Sequence, residues 1–196
     1  ITQKSGSPWI MLFLDDGCVM YNPKEGKIER SLIESSGIWF LTNSDKWCLM
    51  LYSGCNLAII DVFSQDRRIN FPPLESLQSD TYTLKRVVDK EYCFELPSGD
   101  YCNENADDLR GRLWVDKKTG EFVVVWFFNP YTYLFYCKKG DTHNTVIPLS
   151  DQVPKVVNGL TDLVLWGYRL YIATKRRFAR VIDLSGYQRF RGCHRE

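Results

Sequence analysis

The sequence predicts an all-β fold, and three observations support this prediction. Helical periodicity of apolar residues is hard to find, whereas short apolar runs broken by Gly, Pro, Asn and Asp recur throughout. Six Trp, eleven Tyr and eleven Phe give a high aromatic content, and aromatic side chains favour the half-buried surface of a strand. A polar turn pattern also recurs along the chain. We therefore expect short antiparallel sheets.

Candidate strands are spread over almost the whole chain. Two of the apolar runs, Leu57–Ile60 and Phe122–Phe128, are apolar on both faces, which is typical of a strand covered on both sides. The candidates are Trp9–Leu14, Cys18–Tyr21, Ile38–Thr42, Trp47–Tyr52, Leu57–Phe63, Arg86–Val88, Arg112–Val115, Phe122–Phe128, Tyr131–Cys137, Leu163–Trp166, Leu170–Thr174 and Ala179–Leu184. We expect the polar stretches Ser98–Asp108 and Ser150–Gly159 to be loops.

Short turn sequences separate adjacent candidate strands. Asp15-Asp16-Gly17, Gly167-Tyr168-Arg169 and Asn129-Pro130 have the composition of hairpin connections. A longer pattern places an apolar residue before a polar turn and a basic or Gly-containing return after it. This pattern occurs at Tyr21–Ile28, Val62–Ile69 and Val115–Phe122, with a looser copy at Ile182–Gly186.

The spacing of these turns indicates a repeated architecture. Repeats of roughly 40 residues, each with three or four short strands, predict a β-propeller or a piece of one. A β-sandwich with similar hairpins is the alternative, and the pattern alone does not separate the two. The expected domain covers residues 1–186, and residues 187–196 are expected to be a basic C-terminal tail.

Length, charge and cysteine content limit the possible classes. A chain of 196 residues suits one domain with a sizeable core. The net charge of +1 gives no overall attraction to nucleic acid or membrane, and no apolar run approaches the roughly 18 residues of a membrane helix. The seven cysteines are an odd number without a signal peptide or a glycosylation sequon. We therefore expect reduced thiols and a cytoplasmic or nuclear location.

Basic residues are concentrated near the C-terminus. From Arg169 to Glu196 there are eight basic and two acidic residues. Within this region Lys175, Arg176, Arg177 and Arg180 are candidate contacts for phosphate, and neighbouring aromatic residues are compatible with nucleic-acid binding. A solvated hairpin loop is the alternative interpretation of the same cluster. We count these four residues and His143 as candidate partner contacts.

Residue types needed for catalysis or metal binding are scarce. The chain has two histidines, no Cys-x-x-Cys, no Gly-rich phosphate loop and no nucleophile-elbow pattern. We therefore expect no catalysis, no cofactor and no metal. Tryptophans within apolar runs are expected to fill space between packed sheets. These are Trp39, Trp47, Trp114, Trp126 and Trp166.

Several short motifs follow one another in a fixed order along most of the chain. They are Pro8–Phe13, Tyr21-Asn22-Pro23 with Lys27-Ile28, Ser36–Phe40, Val62–Leu74, Leu113–Gly120, Val123–Trp126, Lys139-Gly140-Asp141, Leu163-Val164, Leu170-Tyr171 and Val181–Leu184. Together they resemble the F-box-associated propeller domain of plant F-box proteins, the group with many Brassicaceae-type members. The resemblance implies a propeller of about four blades here, incomplete relative to the family.

Two departures from that family pattern bear on function. No F-box helical segment precedes Trp9, and the family's further strands beyond Leu184 are not found. The resemblance implies the substrate-recognition part of a cullin-type ubiquitin-ligase receptor, in which the F-box holds the ligase and the propeller holds a target protein. The target is unknown, and a ligase adaptor is expected only if the full-length protein has an F-box. A nucleic-acid-binding β module is the alternative.

Overall fold

The all-β prediction is confirmed by the structure. The computed structural model describes residues 9–14, 17–31, 37–64, 67–79, 83–95, 98–128, 133–147, 160–174 and 179–186. Within these residues the chain forms strands and one short 3-10 helix, Ala106–Asp108. The strands are β1 Ile10–Leu14, β2 Gly17–Asn22, β3 Lys27–Ser31, β4 Trp39–Ser44, β5 Trp47–Leu51, β6 Leu57–Asp61, β7 Arg68–Asn70, β8 Leu77–Gln78, β9 Thr83–Val88, β10 Glu91–Glu95, β11 Tyr101–Asn105, β12 Leu109–Val115, β13 Phe122–Phe128, β14 Leu134–Lys138, β15 Asn144–Ile147, β16 Leu160–Trp166, β17 Arg169–Thr174 and β18 Ala179–Asp183.

The described strands form five small sheets, none of which closes on itself. Sheet I is β1-β2-β3, sheet II is β4-β5-β6-β7, sheet III is β11-β10-β9, sheet IV is β12-β13-β14-β15-β8 and sheet V is β16-β17-β18. Pairing is antiparallel except between β8 and β15, which are parallel. The β-sandwich alternative is wrong, because a sandwich needs two larger sheets. The array of short antiparallel sheets is that of an incomplete propeller.

Two local turns explain where strands begin and end. Gly167 and Tyr168 form the predicted hairpin turn, which pairs Trp166 with Arg169, and Gly167 adopts a φ of 60° that favours glycine. The candidate strand Leu57–Phe63 ends earlier, at Asp61, because the Asp61 carboxylate accepts a hydrogen bond from the Phe63 backbone N–H at 3.1 Å. The turns at 15–16 and 129–130 lie outside the described residues.

The stretch Ser98–Asp108 is not the loop that its composition predicts. It contains β11, paired with β10, followed by the 3-10 helix that Asn105 caps by accepting a hydrogen bond from the Asp107 N–H at 2.9 Å. The strand is hard to recognise because its side chains are at most half-buried. The other expected loop, Ser150–Gly159, lies outside the described residues.

The core is organised around β13, whose seven residues are all buried. Val124, Trp126 and Phe128 face sheets II and III. Val123, Val125 and Phe127 alternate with them and face sheet V. Sheet IV is therefore covered on both faces, as its continuous apolar sequence predicts.

Asn144 is a buried polar residue that fastens the outer edge of sheet IV. Its Oδ1 accepts a hydrogen bond from Trp126 Nε1 at 2.9 Å, and its Nδ2 donates to the Pro73 carbonyl at 2.8 Å. Its backbone N–H donates to the Ser76 carbonyl at 2.6 Å. The segment leading into β8 is thereby held against β15, with both ends of the amide satisfied as burial requires.

The first strands of sheets II, IV and V, which are β4, β12 and β16, lie side by side. The Val115 N–H donates to Ser44 Oγ at 3.2 Å, which joins the end of β12 to the end of β4. Arg112 Nε donates to the Leu163 carbonyl at 2.8 Å, which joins β12 to β16. Gly111 permits β12 to lie close to sheet II, since a Cβ atom at this position would lie 2.5 Å from Leu49 Cδ2.

The tryptophan prediction is confirmed for four residues and wrong for one. Trp126 is fully buried, and Trp39, Trp47 and Trp114 pack partly buried against the core clusters. Trp166 is 71% exposed. The alternation of β16 directs Leu165 towards the core and Trp166 away from it, and among the described residues sheet V is covered on only one face.

We predict that Trp126→Ala lowers the free energy of unfolding by about 3–5 kcal/mol, because it empties a fully packed site and leaves the Asn144 amide without a partner. Urea denaturation followed by far-UV circular dichroism measures this loss. Trp166→Ala is the matched control and should change stability by less than about 0.5 kcal/mol, as expected for an exposed side chain. Similar losses in both variants would contradict the assignment of the core.

We also predict that Gly111→Ala destabilises the protein by about 1–3 kcal/mol, because the new methyl group overpacks the contact between β4, β5 and β12. Gly186→Ala is the control, since no atom lies within 4 Å of a Cβ at that position. Thermal melts of both variants test the comparison. Equal melting temperatures would show that Leu49 moves aside without cost.

Candidate protein-binding surface

Three turns meet at one end of the molecule, where β4, β12 and β16 finish. They are residues 45–46, 116–121 and 167–168, and we call them the turn surface. The ends of the three strands are adjacent because the strands lie side by side in the same direction, with Trp114 near the end of β12 contacting Tyr168 after β16 at 5.8 Å between ring centroids. Recognition residues on many proteins sit on such loops, held by a rigid scaffold.

Salt bridges and hydrogen bonds connect the three turns to each other. Lys117 Nζ lies 2.9 Å from Asp45 Oδ2, which links the second turn to the first. Glu121 accepts a hydrogen bond from the Tyr168 hydroxyl at 3.3 Å, which links the second turn to the third. Lys139, in the turn after β14, reaches Glu121 Oε1 at 3.3 Å. Sheets II, IV and V therefore share one polar network.

The electrostatics of the network follow from these contacts. The hydrogen bond from Lys117 lowers the pKa of Asp45, so its carboxylate stays charged at neutral pH. Burial raises the pKa of the Tyr168 hydroxyl, and the neighbouring Glu121 carboxylate raises it further. Tyr168 is therefore a neutral hydrogen-bond donor under physiological conditions.

The central turn is also ordered by its own hydrogen bonds. Asp116 Oδ1 accepts from the Lys118 N–H at 2.9 Å, and Oδ2 accepts from the Thr119 hydroxyl at 2.8 Å. These bonds lower the pKa of Asp116, the bond from Lys118 first. Gly120 completes the turn at a φ of 67°, a conformation that glycine adopts without strain. The turn is thus shaped before any partner binds.

The first turn is fixed in a similar way. Lys46 Nζ lies 2.6 Å from Oδ2 of the buried Asp61 carboxylate, and the Lys46 carbonyl accepts from the Val62 N–H at 3.1 Å. Asp45 adopts a φ of 55°, a left-handed conformation that aspartate tolerates better than most residues. The turn surface is therefore anchored to sheet II on one side and to sheet IV on the other.

The charges on this surface are mixed in sign. Lys46, Lys117 and Lys118 are balanced by Asp45, Asp116 and Glu121. The phosphate backbone of a nucleic acid binds best to a surface with excess positive charge. A surface with charges of both signs and a tyrosine is better suited to binding another protein. Within the described residues, no group of three or more His, Cys, Asp or Glu side chains is placed to hold a metal ion. No described helix is long and apolar enough to cross a membrane.

The predicted contact residues are not gathered into one site. His143 is half-buried in the turn before β15, where its Nε2 hydrogen-bonds to Gln78 Oε1 and its Nδ1 to the Thr142 hydroxyl. It therefore helps to hold β8 against β15. Arg180 is half-buried in β18, opposite Ile172. Lys175, Arg176 and Arg177 lie outside the described residues, as does the tail 187–196, and their role stays a prediction.

The residues that form the turn surface are not among the functional candidates predicted from the sequence. The motif Val115–Phe122 and the turn Gly167-Tyr168 were recognised in the sequence only as connections between strands. That they lie together depends on the order of sheets II, IV and V, which the local pattern does not contain. The alternation of acidic and basic residues within the turns was the one available signal.

Comparison with known proteins identifies a family. Residues 20–194 match the family model described as the KIB1-4 beta-propeller. F-box protein At2g14500 of Arabidopsis thaliana is 42% identical over 98% of this chain and 57% of its own length. F-box protein At2g14290, also from Arabidopsis thaliana, is 45% identical over 97% of this chain and 49% of its own. The chain spans about half the length of these curated relatives.

A solved structure also aligns with the chain. "KlHsv2 with loop 6CD replaced by a Gly-Ser linker" covers 91% of this chain and 61% of its own, at 9% identity and a TM-score of 0.38. So low a score carries no argument about function.

We predict that Lys117→Ala raises the pKa of Asp45 towards its ordinary value of about 3.9, because the hydrogen bond that stabilises the carboxylate is lost. Carboxyl-detected NMR titration measures the change. The Lys117–Asp45 pair stabilises the fold fully at pH values above the ordinary pKa of Asp45. This stabilisation is lost as the pH falls through the lowered pKa of Asp45 in the folded protein. Being exposed, the pair contributes less than about 1 kcal/mol. Lys118→Ala is the control, and an equal shift in both variants would contradict the assigned contact.

Proposed function

Because the chain belongs to the KIB1-4 beta-propeller family, we propose that it is the target-recognition domain of a plant F-box protein, the receptor subunit of a cullin-type ubiquitin ligase. The relatives At2g14500 and At2g14290 are named F-box proteins, and they are about twice as long as this chain. On this proposal an F-box elsewhere in the complete protein holds the ligase, and the present chain holds the target by binding, without catalysis.

The turn surface is the observation that carries this proposal. Its charged side chains are held by one another, as in the pair between Lys117 and Asp45 and the contacts of Glu121 with Tyr168 and Lys139. A surface fixed in advance loses little conformational entropy when a partner binds. Its mixed charges favour a target protein with complementary charges, because such complementarity selects partners and sets their orientation.

The proposal also specifies the cellular location and the binding partners of the chain. The target protein meets the receptor in the cytoplasm or nucleus, where a cullin-type ligase works. The ligase adaptor contacts the F-box, so this chain alone does not bind it. The turn surface does not identify the target, but it indicates the chemistry of the target's binding surface. That surface should offer hydrogen-bonding groups to Tyr168 and charges of both signs to the lysines and carboxylates.

We predict that the double variant Lys117→Glu/Tyr168→Ala, joined to an F-box, loses target recognition. In plant cells, the wild-type fusion should shorten the half-life of a small set of proteins that also co-purify with it. The double variant should capture these proteins at least about tenfold less, because central contacts of an interface contribute about 2 kcal/mol or more. Quantitative mass spectrometry after inhibition of protein synthesis measures both effects.

Lys85→Glu is a charge-matched control on the exposed strand β9 of sheet III, which contributes no residue to the turn surface. It should leave capture and half-lives unchanged. Capture of the same proteins by the double variant would move the recognition site elsewhere on the domain. Capture of the ligase adaptor by the chain without an F-box would contradict the division of labour that we propose.

A further inference from the structure

Two aromatic side chains, Trp9 and Phe63, form an exposed pair beside the turn surface. Their rings meet edge to face with 5.7 Å between the centroids, and Phe63 is 49% exposed. Trp9 is half-buried and directly precedes β1. Phe63 follows Val62, whose N–H donates to the carbonyl of Lys46 in the first turn of the turn surface. The aromatic pair therefore continues the turn surface across sheet II to sheet I.

The carboxylate that holds the first turn also fixes the backbone of Phe63. Oδ1 of Asp61 accepts a hydrogen bond from the Phe63 N–H at 3.1 Å, and Oδ2 lies 2.6 Å from Lys46 Nζ. The side chain of Asp61 is 1% exposed, whereas that of Lys46 is 39% exposed. The Ser64 N–H donates to the Asp61 carbonyl at 3.1 Å, which closes the turn after β6. One buried residue thus positions both an exposed aromatic residue and an ammonium group.

A polar turn of sheet I borders the aromatic pair on its other side. Trp9 lies next to the turn at 23–26, because β1 begins opposite the end of β2. The buried Asn22 holds this turn, since its Oδ1 accepts hydrogen bonds from the N–H groups of Lys24 at 3.1 Å and Glu25 at 3.3 Å. Both of these charged side chains are exposed. The aromatic pair therefore has charges of both signs on two sides.

The turn surface itself has little of the apolar centre that protein interfaces have. Its three turns consist of polar residues apart from two glycines and Tyr168. A specific interface combines a buried centre, rich in aromatic residues, with a polar rim. A few residues of that centre contribute most of the binding free energy. Trp9 and Phe63 have the composition of such a centre, and the turns on either side have the composition of its rim.

The core between sheets I and II is closed beneath the aromatic pair. Its central residues, Cys48 and Met50, are fully buried and pack against Met11 and Val62. Phe63 lies outside this cluster and keeps about half of its surface in water. An aromatic side chain has few rotatable bonds, so one held on a fixed turn offers a large contact area at a small cost in conformational entropy.

We propose that Trp9 and Phe63 form the apolar anchor site of target recognition, and that this site takes a large aliphatic side chain of the target protein, flanked by charged residues. An aliphatic side chain suits the two rings because none of its atoms loses a hydrogen bond to water on burial. The flanking charges on the target complement the lysines and carboxylates on both sides of the pair. This inference rests on the proposed function, which it deepens by naming the chemistry of the recognised segment.

A phage-displayed library of random peptides, selected on this chain, tests the anchor site without knowledge of the natural target. The selected peptides should share a Leu, Ile or Met with charged residues beside it. In a synthetic copy of one such peptide, replacing this aliphatic residue by Ser should weaken binding to the wild-type chain at least about tenfold, as measured by calorimetry. The same replacement should weaken binding to the Phe63→Ser chain less than about twofold, because the contact is already lost there.

Val87→Ser is the matched control, since Val87 is another exposed apolar residue, at 59%, but lies on β9 of sheet III. It should leave peptide binding and the melting temperature unchanged. If Phe63→Ser does not fold, fluorine NMR of the wild-type chain with 5-fluorotryptophan decides the question. The peptide should shift the Trp9 resonance, assigned by its loss in Trp9→Phe, and should leave the resonance of the buried Trp126 in place.

Three results would overturn the anchor site: a selection that yields no binding peptide, equal losses of affinity on the wild-type and Phe63→Ser chains, and peptide binding that leaves the Trp9 resonance in place. Oligouridine that binds and shifts this resonance would also overturn it, by assigning the aromatic pair to base stacking.

The fusion with an F-box separates this proposal from the receptor function. If Phe63→Ser in the fusion captures the same proteins as the wild type, while Lys117→Glu/Tyr168→Ala does not, the anchor site is wrong and the receptor function stands. A wild-type fusion that captures no protein and shortens no half-life would contradict the receptor function, whatever peptides the anchor site binds.

Discussion

The structure depends on the burial of β13 from both sides. All seven of its residues are removed from water, and complete burial of one large apolar side chain is worth about 1.5–3 kcal/mol. One face of the strand brings sheets II and III to sheet IV, and the other brings sheet V. The neighbouring strand β14 also contributes side chains to both core clusters, but β13 is longer and is buried along its whole length. The arrangement of the remaining sheets follows from this one strand.

Polar contacts determine how closely the sheets approach. Asn144 is buried, yet it joins Trp126 of β13 to the segment before β8, so the hydrophobic centre and the outer edge are connected through one amide. On the inner side, the absence of a side chain at Gly111 lets β12 lie against sheet II. The ends of β4 and β12 then become adjacent, which brings Asp45 and Lys117 within 2.9 Å. The turn surface is in this sense a consequence of core packing.

Much of this fold can be predicted from the sequence, because local patterns of residues determine it. The run Phe122–Phe128 predicts a strand covered on both faces, and Gly167-Tyr168-Arg169 predicts a hairpin connection. Both predictions are confirmed, with Arg169 already the first residue of β17. The strand β11 was missed because its residues are polar and half-buried, so that no alternation marks it. Short edge strands such as β7 and β8 have too few residues for any periodicity.

The candidate site was harder to predict, for a physical reason. His143 stands out as one of two histidines, but rarity does not distinguish a binding residue from one that fastens a strand edge. Trp166 and Trp126 occupy similar apolar runs, and they differ because the described part of the chain covers only one face of sheet V. The turn surface combines residues from three sheets, so it is a property of sheet order. Sequence patterns describe neighbours along the chain, whereas such a site is defined by neighbours in space.

Native-state hydrogen exchange of the isolated chain tests most directly whether β13 is the centre of the fold. The account predicts that the amides of β13 are the slowest to exchange and that they open only with global unfolding, with the same free energy as urea denaturation gives. Sheet I and the outer strand of sheet V should exchange through smaller local openings. If β13 exchanged through a local opening while another sheet stayed protected, the central role of its two-sided burial would be contradicted.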